Sequence, residues 1–274
     1  MLVIVIVTLY PMYYVLIVSI SNGNAVMRGE IKLLPKGINL TAYKLVFENP
    51  DFLRSYLNTI IYTLVGTIVN VSFTILCAYP LSRKDFYGRG ILTGMVAFTM
   101  FFSGGMIPLY LVVQKVGLIN SMWALILPVA INTWYMIIMR TFFQAIPESL
   151  QESAYIDGAN DIQILIKVIL PLSLPIIATL LMFYAVYHWN SYFSSIIYLN
   201  QKKKYPVQIV LRNIVIAGEL DKQNSSVGSE SDFQVIATNF KYAVIIISVL
   251  PILTVYPFIQ KYFTQGVMVG AIKG

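Results

Sequence analysis

The residues whose types and spacing could do chemistry gather in two places in this 274-residue sequence. Tyr184, Tyr187, His188, Trp189, Asn190 and Tyr192 set aromatic faces beside an imidazole, an amide and hydroxyls, and Asn132 with Trp134 repeats the theme. Aromatic faces with adjacent hydrogen-bonding groups are what a sugar ring needs, so this set is a candidate path for carbohydrate. Tyr and Trp also collect at membrane interfaces as anchors, and that reading stands beside the first. The second place is the short run 146–160, punctuated by Pro147, Glu148, Glu152, Asp157 and Gly158. Reactive constellations are missing: one His for any triad, no His-Glu-x-x-His, no Gly-x-Ser-x-Gly elbow and no Gly-x-x-x-x-Gly-Lys-Ser/Thr phosphate loop. The single cysteine, Cys77, excludes an internal disulfide and any cysteine-built metal site. The chain reads as non-catalytic, with no metal or cofactor of its own, so any ATP used must be hydrolysed by another chain.

The elements that must position these residues are set by composition. Hydrophobic residues make up 58% and charged residues 11% of the chain, where a soluble domain carries about 25% charged residues to face water. Charged residues leave six windows free: 1–27, 55–82, 90–114, 116–139, 168–201 and 242–260, each at least 19 residues long. About 20 residues of helix cross a hydrocarbon core of about 30 Å, and a charge at its centre costs about 2.5–3.5 kcal/mol. The expectation is an all-α polytopic membrane protein, one domain over 1–274, with spans at about 1–21, 56–81, 91–113, 121–140, 165–187 and 242–260. The first window has no basic segment before it and no small-x-small cleavage site close after it, which reads as a retained span, and its abrupt start points to a natural N-terminus further upstream. The net charge of +7 is scattered between apolar runs, a pattern that suits lipid headgroups or a protein partner rather than nucleic acid. Six spans put both termini on one side. With cytoplasmic termini only seven of the 19 Lys and Arg residues fall inside, so the raw count points the other way, while the compact turn Arg83-Lys84-Asp85 with Arg89 is the better inside marker. Gradient-driven carriers place ionisable groups within their spans, and His188 is the one Asp, Glu, Lys or His inside these windows. A lone histidine near the end of an apolar run suits a packed or interfacial position better than a proton relay.

Between the fourth and fifth windows, Pro147 fits the first turn of a helix, Glu148 and Glu152 suit its positive pole, and Gly158 supplies a stop. The spacing predicts a helix over about 147–158, too short to span, with an apolar side of Leu150, Ala154 and Gly158. It should lie on the membrane surface or dock into a partner.

Here the residues begin to resemble a family. Glu152-Ser153-Ala154, three residues, Gly158, nine residues, then Val168-Ile169-Leu170-Pro171 resembles the cytoplasmic loop of the inner-membrane permease subunits of ATP-binding cassette importers. That pattern reads Glu-Ala-Ala, three residues, Gly, nine residues, Ile-x-Leu-Pro, and the departures are Ser153 and Val168, both near in size. The likeness runs along nearly the whole chain. Ile146-Pro147-Glu148, Ala78-Tyr79-Pro80-Leu81-Ser82-Arg83, Phe102-Ser103-Gly104-Gly105-Met106-Ile107-Pro108, Trp189-Asn190 and Tyr256-Pro257-Phe258 are similar to the carbohydrate-uptake branch, and to the second of its two paired permeases.

The resemblance implies a bacterial inner (cytoplasmic) membrane location with cytoplasmic termini, a second homologous permease, two ATPase subunits that use ATP and Mg, and an extracytoplasmic solute-binding protein. It implies that the 147–158 helix seats in the ATPase, with Glu152 as the charged contact, Ala154 for close approach, and Leu150, Asp157 and Gly158 completing the coupling surface. A tail carrying Gly266, Gly270 and Lys273 is expected between the ATPases. The outer segment 198–241, with Lys202, Lys203 and Lys204, is expected to meet the solute-binding protein and, if it steers substrate, favours an acidic one. The expected cargo is a carbohydrate, an oligosaccharide; the alternatives are a non-sugar solute carried by the same machinery, or a self-sufficient carrier that would depend on His188.

Overall fold

The computed structural model of the chain describes residues 1–224, 239–255 and 257. Among these residues the fold is all-α, and the one strand-like feature is an isolated antiparallel bridge between Ser21 and Ile38. The expected tail residues Gly266, Gly270 and Lys273, the segment 225–231 and the end of the sixth window lie outside the described residues. The chain clusters into two units, Met1–Thr59 with Leu199–Thr254, and Ile60–Tyr198 with Val255–Gly274.

In the first unit the helix Leu2–Ser19 exposes most of its apolar length and buries Ile17 and Val18 near its end. The following loop folds back on it: Tyr13 Oη donates to Leu33 O at 2.6 Å, and Ile31 packs with Ile17 and Val18. A helix over Thr41–Glu48 leads to Asn49, whose side chain accepts from the N–H groups of Asp51 and Phe52 and so caps the next helix. That helix, Pro50–Ser82, is 33 residues long; Pro50 loses no hydrogen bond at its first turn and Asp51 favours its positive end. Phe52, Ala42, Val46, Val207, Ala243 and Val244 form this unit's core. The helix Val207–Asn224 replaces part of the expected outer connector, and Thr59 Oγ1 accepts from Val207 N–H at 2.8 Å.

Pro50–Ser82 is inside-out. Leu57, Ile61, Leu64 and Ile68 are exposed at spacings of four, three and four, while Ser55, Thr59, Thr63, Thr67, Asn70 and Thr74 are buried on the other face. Water would favour the reverse. Lipid is as apolar as leucine, so a helix in a bilayer turns its polar groups toward protein partners.

Among the described residues Pro50–Ser82 alone is long and apolar enough to cross a membrane unbroken, and three further windows appear as bent pairs. The stretch expected as one span over 91–113 is Arg89–Phe101 and Met106–Lys115, bent by 116° across 102–105. Trp123–Val129 and Thr133–Gln144 meet at 53°, where Asn132 leaves helical geometry and its side chain caps Tyr135 N–H. The expected 165–187 span starts earlier, at Asp161, and bends by 83° between Asp161–Leu172 and Leu174–Trp189. Pro175 has no N–H to offer the carbonyl of Pro171, so the ladder breaks beside Ser173, just after a π-helical turn at Leu165–Ile169. The first and last windows carry the shorter apolar helices Val3–Ser19 and Asn239–Val255. The core of the second unit is built from Ala78, Tyr79, Leu81, Met136, Met139, Phe143, Ile164, Ile169 and Leu180.

Candidate functional site

The helix read from Pro147, Glu148 and Gly158 forms as Glu148–Ile156. Pro147 stands one residue earlier than expected, as the N-cap: its φ of −55° would fit a helix, but its ψ of 132° does not, and the helix begins at Glu148. The C-terminus closes on Gly158 at φ +80°, with Gly158 N–H donating to Tyr155 O at 2.9 Å and Ala159 N–H to Ala154 O at 3.0 Å. Only glycine holds that conformation without strain, and the two bonds satisfy carbonyls the helix end would leave open. Asp157 is the exposed C-cap.

Of the expected apolar side, Leu150 faces out and Ala154 faces in. Ala154 packs against the core, but Gln151 rather than Leu150 is its buried companion; Leu150 is 44% exposed. Glu152 is exposed, at the edge of a groove of about 530 Å³ that also includes Arg83, Lys84, Asp85, Arg89, Gln144, Gln151 and Tyr155. Arg83 Nε donates to Asp85 at 3.3 Å and holds that carboxyl below its usual range. Arg83 Nη2 donates to the Tyr155 hydroxyl at 3.4 Å with the guanidinium 5.6 Å over the ring, and Tyr155 Oη donates to Asp161. The bond to Asp161, with burial, pushes the Tyr155 hydroxyl up to about 12, so it keeps its proton at neutral pH. Lys84 pairs with Glu148 at 2.9 Å, both side chains well exposed. Tyr155 was not singled out in the sequence. Its partners lie 72 and 6 residues away, so spacing alone gave no sign of the first.

A second cavity, of about 380 Å³, joins four of the aromatic and amide candidates: Asn132, Trp134, Tyr184 and Tyr187. Thr99, Thr133 and Tyr135, which the sequence reading passed over, complete its polar and aromatic lining. Tyr184 is 2% exposed; its hydroxyl accepts from Asn132 N–H at 3.0 Å and shares a 2.8 Å hydrogen bond with Thr74. Tyr135 meets Tyr184 edge to face at 5.0 Å between ring centres. Trp134, at 57% exposure, offers a free face. Such a surface can stack a pyranose ring and hydrogen-bond its hydroxyls, and among the described residues no charged side chain lines it.

The other four candidates lie elsewhere. His188 is 2% exposed and packs so closely on the backbone of Gly66 that a Cβ there would fall 2.6 Å from its Nε2. Trp189 is buried, Asn190 bonds back to Val186 O at 3.0 Å, and Tyr192 is half-buried. Successive helical residues turn by about 100°, so Trp189 leaves the side that Tyr184 and Tyr187 share, while His188 stays close to it in angle but is taken up by its packing on Gly66.

The family described as binding-protein-dependent transport system inner membrane component matches residues 70–269. The polygalacturonan/rhamnogalacturonan transport system permease protein YtcP of Bacillus subtilis is 46% identical over 269 residues, covering 96% of this chain and 92% of that protein. Protein LplC of the same organism is 44% identical over 273 residues, with coverage of 98% and 90%. A chain of a bacterial ABC transporter involved in the import of the acidic polysaccharide alginate matches with a TM-score of 0.87 at 35% identity, over 95% of this chain and 92% of that one. The chain therefore belongs to the inner membrane components of binding-protein-dependent transport systems, as an all-α permease subunit of the ATP-binding cassette type.

Proposed function

We propose that the chain forms half of the translocation path of an ATP-driven importer for an acidic oligosaccharide, and that Glu148–Ile156 takes up the motion of a separate ATPase subunit. The observation that carries the reading is the presence, in one unit, of a capped helix presenting Glu152 beside a groove and an aromatic, hydroxyl-lined cavity around Tyr184. A stiff short helix transmits a push, and an exposed carboxylate can make a charge-assisted bond to an arginine of the partner. The acidic cargo is supported by the polygalacturonan/rhamnogalacturonan and alginate systems of the relatives, and by exposed Lys202 and Lys203 on a short turn. The assembly in this reading has a second homologous permease, two ATPase subunits, an extracytoplasmic solute-binding protein, six crossings per permease and cytoplasmic termini.

The test is affinity purification of the tagged chain with its native partners, reconstitution in vesicles, and uptake of labelled oligogalacturonide. The expected result is ATP-dependent uptake, displaced by unlabelled uronic chains and not by neutral malto-oligosaccharides, and lost in Glu152→Ala. Recovery of the chain without an ATPase, or uptake that ignores ATP, would overturn the reading.

A further inference from the structure

We propose that Tyr155 is a positioning residue for energy coupling, a junction that ties the docking helix to two membrane helices at once. The inference rests on the reading that Glu148–Ile156 docks an ATPase, and goes beyond it by naming how motion leaves that helix. Three elements meet at this one side chain. Tyr155 lies on the last turn of Glu148–Ile156. Its hydroxyl accepts from Arg83, the first residue past the end of Pro50–Ser82, and donates to Asp161, the first residue of Asp161–Leu172. Its ring also carries the Arg83 guanidinium.

The charges make the arrangement directional. A phenol that keeps its proton can donate to a carboxylate and accept from a guanidinium at the same time, and both bonds are charge-assisted. Arg83 is itself held: its side chain is 18% exposed, it pairs with Asp85, and its carbonyl accepts from Arg89 Nη1 at 3.2 Å. Arg140 Nε donates to Leu81 O at 2.9 Å, which fixes the same helix end from another side. Lys84–Glu148 spans the same gap between two well-exposed side chains, a kind of pair worth little in water. A push delivered to the docking helix therefore passes through Tyr155 to the end of one span and the beginning of another, and the two move together.

The experiment measures ATP hydrolysis and oligogalacturonide uptake on the same reconstituted importer, for wild type, Tyr155→Phe, Tyr155→Ala, Arg83→Ala, Arg83→Ala with Tyr155→Ala, and Lys84→Ala. Tyr155→Phe keeps the ring under the guanidinium and loses the hydroxyl, so it preserves the test should the alanine variant not fold. The expected result is ATPase recovery at wild-type stoichiometry in every variant, with uptake per ATP lowered at least about fivefold in Tyr155→Phe and further in Tyr155→Ala. Arg83→Ala should add nothing to Tyr155→Ala, and Lys84→Ala, which breaks a pair between two well-exposed side chains, should lower uptake per ATP less than Tyr155→Phe does. Wild-type uptake per ATP in both Tyr155 variants would overturn the proposal, as would loss of ATPase binding in Tyr155→Phe, which would make the hydroxyl a docking contact. Absence of an ATPase from the wild-type preparation would instead sink the docking reading itself.

Discussion

Gly66→Ala should destabilise this permease, and removing the His188 ring should reverse the sign of the effect. An ideal Cβ on Gly66 falls 2.6, 2.7 and 2.8 Å from Nε2, Cε1 and Cδ2 of His188. Non-bonded heavy atoms rest at about 3.5–4.0 Å, so helix or ring must retreat by about 1 Å. The imidazole is 2% exposed and meets the Tyr187 ring edge to face at 5.4 Å, which leaves it no route into solvent. Overpacking of this kind costs about 1–3 kcal/mol. Alanine returns about 1 kcal/mol over glycine in a helix interior, leaving a net loss of about 0–2 kcal/mol. In a His188→Ala background the obstruction is gone and the same substitution gains, so the coupling between the two sites is about 1–3 kcal/mol. Wild type, both single variants and the double variant would be heated in detergent and the surviving monodisperse fraction read by fluorescence-detected size exclusion. The order of midpoints is the observable, because heat inactivation here is governed by rate. Gly66→Ala should melt below wild type, and the double variant at or above His188→Ala. An equal drop in both backgrounds would refute the argument from the His188 contact.

Tyr184→Phe removes the hydroxyl partner of Asn132 N–H and of Thr74, so the cavity wall should loosen by about 1–3 kcal/mol. Thermal midpoint and uptake should both fall; unchanged values for both would show that the hydroxyl holds nothing. The pH response of the groove beside Glu148–Ile156 is worked from two groups. Asp85, lowered by its bond from Arg83, contributes stability above the unfolded carboxylate pKa and loses it as pH falls through the lower folded value. Tyr155, raised to about 12 by its bond to Asp161, contributes below the unfolded tyrosine pKa and loses it as pH rises through about 12. Both windows lie outside about pH 5–9, so uptake per ATP should be flat across that range, and a change above about twofold within it would contradict the assignment.

The class of fold was legible because charge is too costly in lipid to fall at random, so the windows between charged residues outline the apolar helices. The bends were harder to see. Hydropathy counts residues, whereas a helix breaks where its hydrogen-bond ladder fails, and one break hangs on Pro175 facing Pro171 inside an apolar run. Ser103-Gly104-Gly105 stands at another, between Arg89–Phe101 and Met106–Lys115. The cavity was half legible: Tyr184 and Tyr187 stand together in sequence, but their joining to Asn132 and Trp134 is tertiary, through a hydroxyl and an N–H 52 residues apart. The turn of the helix takes Trp189 away from Tyr184 and Tyr187, whereas His188, on nearly the same side as Tyr184, is withdrawn only by its tertiary packing on Gly66.

The helix Glu148–Ile156 shows why one of its faces could be read and the other not. A short amphipathic helix considered alone is assigned an apolar side that lies on lipid, and Leu150 with Ala154 supplies one. In the structure Gln151 is turned inward, while Leu150 and Ile156 face out at 44% and 87% exposure. That is inverted for a helix resting between water and its own protein, where burying Leu150 would release more apolar surface and leave Gln151 hydrated. The inversion has a consistent cause if the outer face is itself destined for burial, since Leu150 and Ile156 then supply the apolar contact and Glu152 the charged one against a partner. On that reading the sequence of one subunit would carry the patterns of an inner and an outer interface superposed, and the position of Gln151 in the fold separates them.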